Sequence, residues 1–226
     1  MKIYALICTR TKEYSTVTSN LIKQLKEYGV SVKVLANQKS IFKAYKKGLK
    51  VCNPKDNDIV IMCHDDIEIK QTKEEFIAAL GMCLGEKVGI IGPAGTTKLG
   101  TNAVWWDHEL WKRDYHRGFV FHKKTDRDEG TRYGKYGRVV VLDGLFLAAR
   151  GYVWNKLDLS QPKEFKGNWD FYDIYYTSQA HFKGFENQAA PIMLCHHSSG
   201  ELVGRDSWHL NRQAFQNMTR LPISLK

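Results

Sequence analysis

Asp58-Ile-Val-Ile-Met-Cys-His64-Asp65-Asp66-Ile67-Glu68 is the stretch on which the fold turns. Ile59 to Cys63 is a short apolar, β-rich run, the pattern of a buried strand. It ends abruptly in two carboxylates. In an open α/β sheet, ligands bind beyond the carboxyl ends of the strands, so this strand delivers Asp65 and Asp66 to that rim. Adjacent residues on an extended chain point to opposite faces. The pair therefore suits a division of labour, one carboxylate on a divalent cation and the other on a ligand hydroxyl. It makes a poor glycosidase pair, which needs two carboxyl groups facing each other across a bond. Hard carboxylate oxygens favour Mg²⁺ or Mn²⁺, and Mg²⁺ keeps few protein ligands and binds substrate phosphates.

Before this stretch the chain alternates strand and helix. Ile3 to Cys8 reads as a buried strand, followed by the hydroxyl-rich, basic loop Thr9-Arg10-Thr11-Lys12. Thr18 to Tyr28 predicts a helix, with Val17, Leu21, Ile22 and Leu25 on one face and Gly29 as its stop. Val30 to Leu35 alternates as a second strand. Ser40 to Lys50 predicts a second helix, capped by Ser40 and buried along Phe42, Tyr45 and Leu49. Lys39, Lys43, Lys46 and Lys50 form its other stripe. A solvated face is the simpler reading of those lysines; contact with a polyanion or diphosphate is the alternative.

Beyond the acidic pair, Lys73 to Cys83 predicts a helix and Val88 to Ile91 a strand. The strand ends at Gly92-Pro93-Ala94-Gly95, which is not a P-loop because no Gly-Lys-Ser/Thr closes it. This order predicts α/β: a Rossmann-type, mostly parallel sheet flanked by crossover helices. Residues 100–138 break the pattern. Trp105, Trp106, Trp111, Tyr115, Phe119 and Phe121 are interleaved with Lys and Arg, which predicts a long, basic, aromatic insertion. Its rings would stack on sugars or bases and its cations would hold phosphates. A β-hairpin packed on the sheet is the structural alternative.

Val139 to Leu142 predicts a strand ending at Asp143-Gly144. Trp169-Asp170-Phe171-Tyr172-Asp173 precedes a helix over Ile174 to Lys183, and either Asp could serve as its cap. Ile192 to Cys195 predicts a final strand, followed by His196-His197-Ser198-Ser199-Gly200. The tail carries a helical stretch over Asp206 to Asn217.

The formal charge of +10 is uneven, with twelve Lys/Arg against four Asp/Glu in residues 1–60. Such a field favours anionic partners: nucleotide sugars, phospholipid surfaces or nucleic acid. The five cysteines are odd in number and form no C-x-x-C, which argues a reduced compartment and against a zinc–cysteine site. The N-terminal stretch lacks the pattern of a signal peptide, and no apolar run approaches the roughly 18 residues of a membrane span. A cytoplasmic protein without a transmembrane segment is expected, with attachment at the membrane surface as its variant.

Four pieces in order carry a resemblance: Cys63-His64-Asp65-Asp66-Ile67-Glu68, Leu142-Asp143-Gly144-Leu145-Phe146-Leu147-Ala148, Trp169-Asp170-Phe171-Tyr172-Asp173-Ile174 and Cys195-His196-His197-Ser198-Ser199-Gly200. Together they resemble a family 2-type glycosyltransferase of the GT-A fold, in a compact glycosyltransferase-like branch. The resemblance implies one domain over 1–226, with 1–100 as the nucleotide-binding half and 101–226 as the acceptor-binding and catalytic half. It implies a divalent cation, Mn²⁺ or Mg²⁺, on Asp66 and Asp65, with His196 or His197 completing the shell. His64 stands where the family's motif has its first acidic residue, a departure. Thr9 and Arg10 would contact the nucleobase, and Asn37 and Lys43 would line the nucleotide pocket. Asp143 and Gly144 would approach the donor sugar and pyrophosphate, and Trp169 the acceptor. Asp173 would be the catalytic base, with Asp170 as fallback. The implied reaction is inverting transfer from a nucleotide sugar, UDP-linked first, to a glycan or lipid-linked acceptor in surface glycan synthesis. Two other readings compete: a transferase acting on modified, hydroxymethyl bases of DNA, and a non-catalytic basic nucleic-acid or glycan-binding module. The first of these predicts DNA binding that weakens steeply with salt.

Overall fold

The computed structural model describes residues 1–198 and 206–225; Ser199 and Gly200 of the fourth quoted piece lie outside them. The strands are β1 (Ile3–Cys8), β2 (Ser31–Leu35), β3 (Ile59–His64), β4 (Ile67–Ile69), β5 (Val88–Gly92), β6 (Ala94–Thr96), β7 (Lys98–Leu99), β8 (His116–Lys123), β9 (Asp128–Gly134), β10 (Gly137–Val139), β11 (Val141–Leu142), β12 (Phe146–Arg150), β13 (Glu186–Ala189), β14 (Leu194–His196) and β15 (Ile223–Ser224). The α-helices are α1 (Thr16–Glu27), α2 (Ile41–Cys52), α3 (Lys73–Gly81), α4 (His108–Lys112), α5 (Gly151–Lys156), α6 (Tyr172–Phe182) and α7 (Asp206–Met218).

The main sheet runs β10-β13-β5-β12-β3-β1-β2. β2, β1, β3, β5 and β13 share one direction; β12 and β10 oppose it. The expected mostly parallel sheet is therefore present. Its strands are covered on both faces, which is why β1 and β3 read as continuous apolar runs rather than alternating ones. Ala5, Leu6 and Ile7 of β1 and Ile59 to Cys63 of β3 are fully buried. α1 and α2 start where Ser15 and Ser40 accept from the backbone N–H of Thr18 and Lys43. Lys39, Lys43, Lys46 and Lys50 are exposed while Phe42 and Tyr45 are buried, so the lysine stripe is the solvated face of α2.

A second sheet, β11-β6-β8-β14-β4 with β9 on β8, sits at the carboxyl-end rim of the first. Over 100–138 it takes the form of the packed hairpin, the structural alternative to a long basic, aromatic insertion. That segment holds α4 and the β8–β9 hairpin. Its alternation is hard to read because the inward positions of β8 are His116, Gly118 and Val120. Phe119 and Phe121 face the other way and pack over Gly130, where a Cβ would collide with the Phe119 ring. The predicted single strand 139–142 is two, β10 and β11, which split between the sheets. β13 is not expected from sequence at all. Its fully buried Asn187 replaces an apolar residue: Oδ1 accepts from Ile90 N, and Nδ2 donates to the carbonyls of Val140 and Thr177. No helix among the described residues is long and apolar enough to cross a membrane. All five cysteines are free thiols.

Candidate active site

β3 ends at His64, and the chain bends through Asp65 and Asp66 before β4. β12 runs antiparallel to β3, so its start lies beside the end of β3: Phe146 pairs with Cys63, and His64 N–H donates to the Leu145 carbonyl at 3.0 Å. This register brings Asp143 and Gly144 to His64. β14 pairs with β4, placing His196 opposite Ile67, and His197 N–H donates to the Asp66 carbonyl at 2.8 Å. The first turn of α6 closes the group through Tyr172, whose hydroxyl donates to the Gly144 carbonyl at 2.6 Å. Strand pairing thus brings Asp143-Gly144 and His196 to the end of β3, and the Tyr172 hydrogen bond ties α6 to them.

The loop before α6 is held by α7. Asn211, fully buried, accepts from the N–H groups of Lys166 and Gly167 and donates to the carbonyls of Gly167 and Asp170. Ser207 donates to the Asp170 carboxylate at 2.8 Å. Phe171 (φ 66°) and Ala103 (φ 56°) are both left-handed, a conformation that costs a non-glycine residue free energy. Both line the cleft, where such strain concentrates.

The cleft has a volume of about 290 Å³. Of the residues expected from sequence, Asp66, Asp143, Gly144, Trp169, Asp170, Asp173 and His196 line it. Thr9, Arg10, Asn37, Lys43, Asp65 and His197 do not. Arg10 is nevertheless next door, its guanidinium 4.4 Å from the centre of the Trp169 ring. Thr9 and Asn37 lie just past β1 and β2, joined by backbone bonds from Thr9 N–H to Leu35 and from Gln38 N–H to Thr9. His197 turns to Glu68, 3.3 Å away, on another surface. Neither Asp170 nor Asp173 caps α6: its N-cap is Phe171, without a side-chain bond.

His64 is a candidate cation ligand that sequence reasoning missed. His64, Asp66 and His196 offer ligand atoms that all lie within 4.8 Å of one another. His196 Nε2 is 3.3 Å from Asp66 Oδ2, and His64 Nδ1 is 3.7 Å from Asp66 Oδ1. Asp66 Oδ1 is buried and has no hydrogen-bond partner among the described residues. A buried anionic oxygen left unpaired is costly, and a cation between it and two imidazoles removes that cost. The residues present therefore fit a divalent ion. The available signal in the sequence was the His-x-Asp spacing at the end of a strand.

Electrostatics separate the two key carboxylates. Burial pushes Asp66 up, but the His196 hydrogen bond and His64 outweigh it and hold the carboxyl at about 2. Burial pushes Asp173 up, Asp143 adds to it, and its carboxyl lies at about 7. Burial also pushes His64 down, against the pull of Asp66. One carboxylate is permanently charged and the other is poised near neutrality, the arrangement that assigns fixed charge to one and proton transfer to the other.

Gly144 leaves no room for a side chain. A Cβ there would collide with the Tyr172 hydroxyl and stand 3.0 Å from the Asp173 Cβ. Gly144→Ala is expected to lower stability by about 1–3 kcal/mol through overpacking. It should lower activity by about 10²-fold, the cost of moving reacting groups by about 1 Å. Thermal melting and steady-state kinetics on one preparation check both.

The fold is of the GT-A type. The chain belongs to the glycosyltransferase like family, whose model matches residues 5–216. Among solved structures it is similar to GalNAc-T7, crystallised with UDP, GalNAc and Mn²⁺, at 11% identity and a TM-score of 0.63. That match covers 96% of this chain and 48% of GalNAc-T7, so the chain spans about half of that protein. A STIV protein matches at 14% identity over 88% of this chain and 83% of that one, with a TM-score of 0.47. The 2-C-methyl-D-erythritol 4-phosphate cytidylyltransferase of Francisella tularensis matches at 10% identity over 96% and 100%, with a TM-score of 0.39. At those scores neither weighs on the fold. No curated protein sequence matches the chain.

Proposed function

We propose that the protein is a divalent-cation-dependent, inverting glycosyltransferase that moves a sugar from a nucleotide sugar, UDP-linked, to an acceptor hydroxyl of a glycan or lipid-linked glycan. One observation carries the reading: a charged carboxylate flanked by two imidazoles and a carboxylate poised near neutrality line the same cleft. His64, Asp66 and His196 would hold the cation. When bound, it supplies charge stabilisation for the diphosphate leaving group.

In this reading the acceptor oxygen attacks the anomeric carbon as the bond from that carbon to the diphosphate oxygen breaks. Asp173 accepts the acceptor's proton. A base works best with a pKa near the operating pH, which its half-buried position beside Asp143 gives. A single displacement of this kind inverts the anomeric centre. Trp106, Tyr133, Trp169 and Trp208 line the cleft half-buried, leaving aromatic surface on which sugar rings stack, and they favour a saccharide acceptor. Residues 1–100 would carry most nucleotide contacts and 101–226 most acceptor contacts, with His196 reaching back to the cation. Peripheral attachment to an anionic membrane would fit the excess of lysine on α2.

The experiment is a melting series with nucleoside diphosphates, with and without Mn²⁺. UDP with Mn²⁺ at 100 times its dissociation constant adds about 2.7 kcal/mol, roughly 5–10 °C in a chain of this size. UDP without Mn²⁺ should shift melting much less. If no nucleotide moves the transition, the transferase reading is wrong for this cleft.

A further inference from the structure

Tyr172 has one hydroxyl hydrogen and touches two polar atoms. It donates to the Gly144 carbonyl at 2.6 Å, and its oxygen lies 2.9 Å from His64 Nε2. A carbonyl only accepts, so the hydrogen belongs to Gly144. His64 Nε2 must then be the donor to the Tyr172 oxygen; its hydrogen is assigned from these partners. In the neutral ring this leaves Nδ1 as a bare lone pair. Nδ1 faces Asp66 Oδ1, 3.7 Å away, which is itself buried and unpartnered. Two lone pairs turned toward each other need something electron-poor between them.

The Tyr172 ring cannot swing away to release this bond. It is buried and packs against Phe42, Tyr45 and Tyr176 at centroid distances of 6.4, 5.8 and 6.0 Å. Its backbone opens α6, one residue before Asp173, and its acceptor Gly144 follows Asp143. One side chain therefore joins the strand that carries His64, the Asp143-Gly144 loop and the helix that carries Asp173.

We propose that Tyr172 is a positioning residue: its hydroxyl fixes the tautomer and orientation of His64, so that Nδ1 joins Asp66 and His196 in a two-imidazole, one-carboxylate site selective for Mn²⁺ over Mg²⁺. The proposal rests on the cleft being the cation site of the transferase. The selectivity follows from the donor set. Imidazole nitrogens suit first-row transition ions, whereas Mg²⁺ prefers an all-oxygen shell. Outer-shell partners of ligating histidines typically matter 10- to 100-fold in metal affinity.

Two measurements test it. Ring ¹⁵N NMR of the wild-type protein without metal reads the His64 tautomer directly: Nε2–H is expected, and an Nδ1–H ring overturns the proposal. Electron paramagnetic resonance of free Mn²⁺ then gives affinities for wild type, Tyr172→Phe, His64→Ala and the double variant. Tyr172→Phe should bind Mn²⁺ about 10- to 100-fold more weakly. In the His64→Ala background the same change should cost nothing further, because its route is gone. Unchanged affinity in folded Tyr172→Phe, or an additive loss in the double variant, overturns the proposal, as does wild-type affinity for Mg²⁺ equal to that for Mn²⁺. Wild-type protein that binds UDP but no divalent ion removes this site and the cation dependence while leaving nucleotide-sugar transfer in the cleft standing; protein that binds neither removes both.

Discussion

Asp173→Asn should lower the turnover of sugar transfer by about 10²- to 10⁴-fold, the usual contribution of a positioned base. UDP binding in the presence of Mn²⁺ should stay near wild type, because the cation ligands are untouched. The pH profile supplies a second signature. Asp173 acts deprotonated, and its carboxyl lies at about 7, so wild-type turnover should fall tenfold per pH unit below that point. The residual activity of the variant should lose this limb. Stability runs the other way. Between the ordinary carboxylate range and about pH 7 the folded state holds a proton that the unfolded state has released. Folding stability therefore declines as pH rises through that window. Removing the charge relieves the penalty, and Asp173→Asn should melt higher than wild type at pH 8, by roughly 2–4 °C for each kcal/mol recovered. Lower turnover with a higher melting point separates a functional carboxylate from one that merely holds the fold. If Asp173→Asn keeps wild-type turnover, the base lies elsewhere.

Asp66→Ala should fail differently. It removes the buried, unpartnered oxygen that the two imidazoles face. Several kcal/mol of transition-state stabilisation are at stake, about 10³-fold in kcat/KM. The dependence of UDP affinity on Mn²⁺ should vanish, which Asp173→Asn leaves intact. Calorimetric titration of UDP with and without Mn²⁺ on both variants distinguishes the two roles. Retained Mn²⁺-dependent UDP binding in Asp66→Ala would place the cation away from this carboxylate.

Much of the framework is legible in the chain because burial leaves a simple trace. β1 and β3 are continuous apolar runs, since both faces of the parallel sheet are covered. α2 begins at Ser40, the cap its sequence marks, while the caps of α1 and α3, Ser15 and Thr72, show only in the structure. Illegible parts have the opposite chemistry. β13 is central yet polar, because the amide of Asn187 satisfies three backbone groups that an apolar side chain would leave alone. β8 buries His116 and Gly118 and turns its phenylalanines outward onto Gly130, which inverts the usual alternation.

The site divides in the same way. Asp66, Asp143, Asp173 and His196 stand in an ordered set of acidic and imidazole residues at element ends, and strand pairing brings them to one cleft. His64 escapes because a motif expecting a carboxylate counts an imidazole there as a departure. Tyr172 escapes because an aromatic residue opening a helix looks like core, and only its two hydrogen bonds show otherwise. Asp65 and His197 adjoin their partners in sequence but stand outside the cleft, and His197 bonds Glu68 instead.

A crystal structure of the protein soaked with UDP and Mn²⁺, with anomalous scattering used to find the metal, is the most direct test. One Mn²⁺ bound by His64, Asp66 and His196 is expected, with the diphosphate on it and Asp173 facing the same cleft. A nucleotide bound on another surface, or a metal peak away from Asp66, would contradict it.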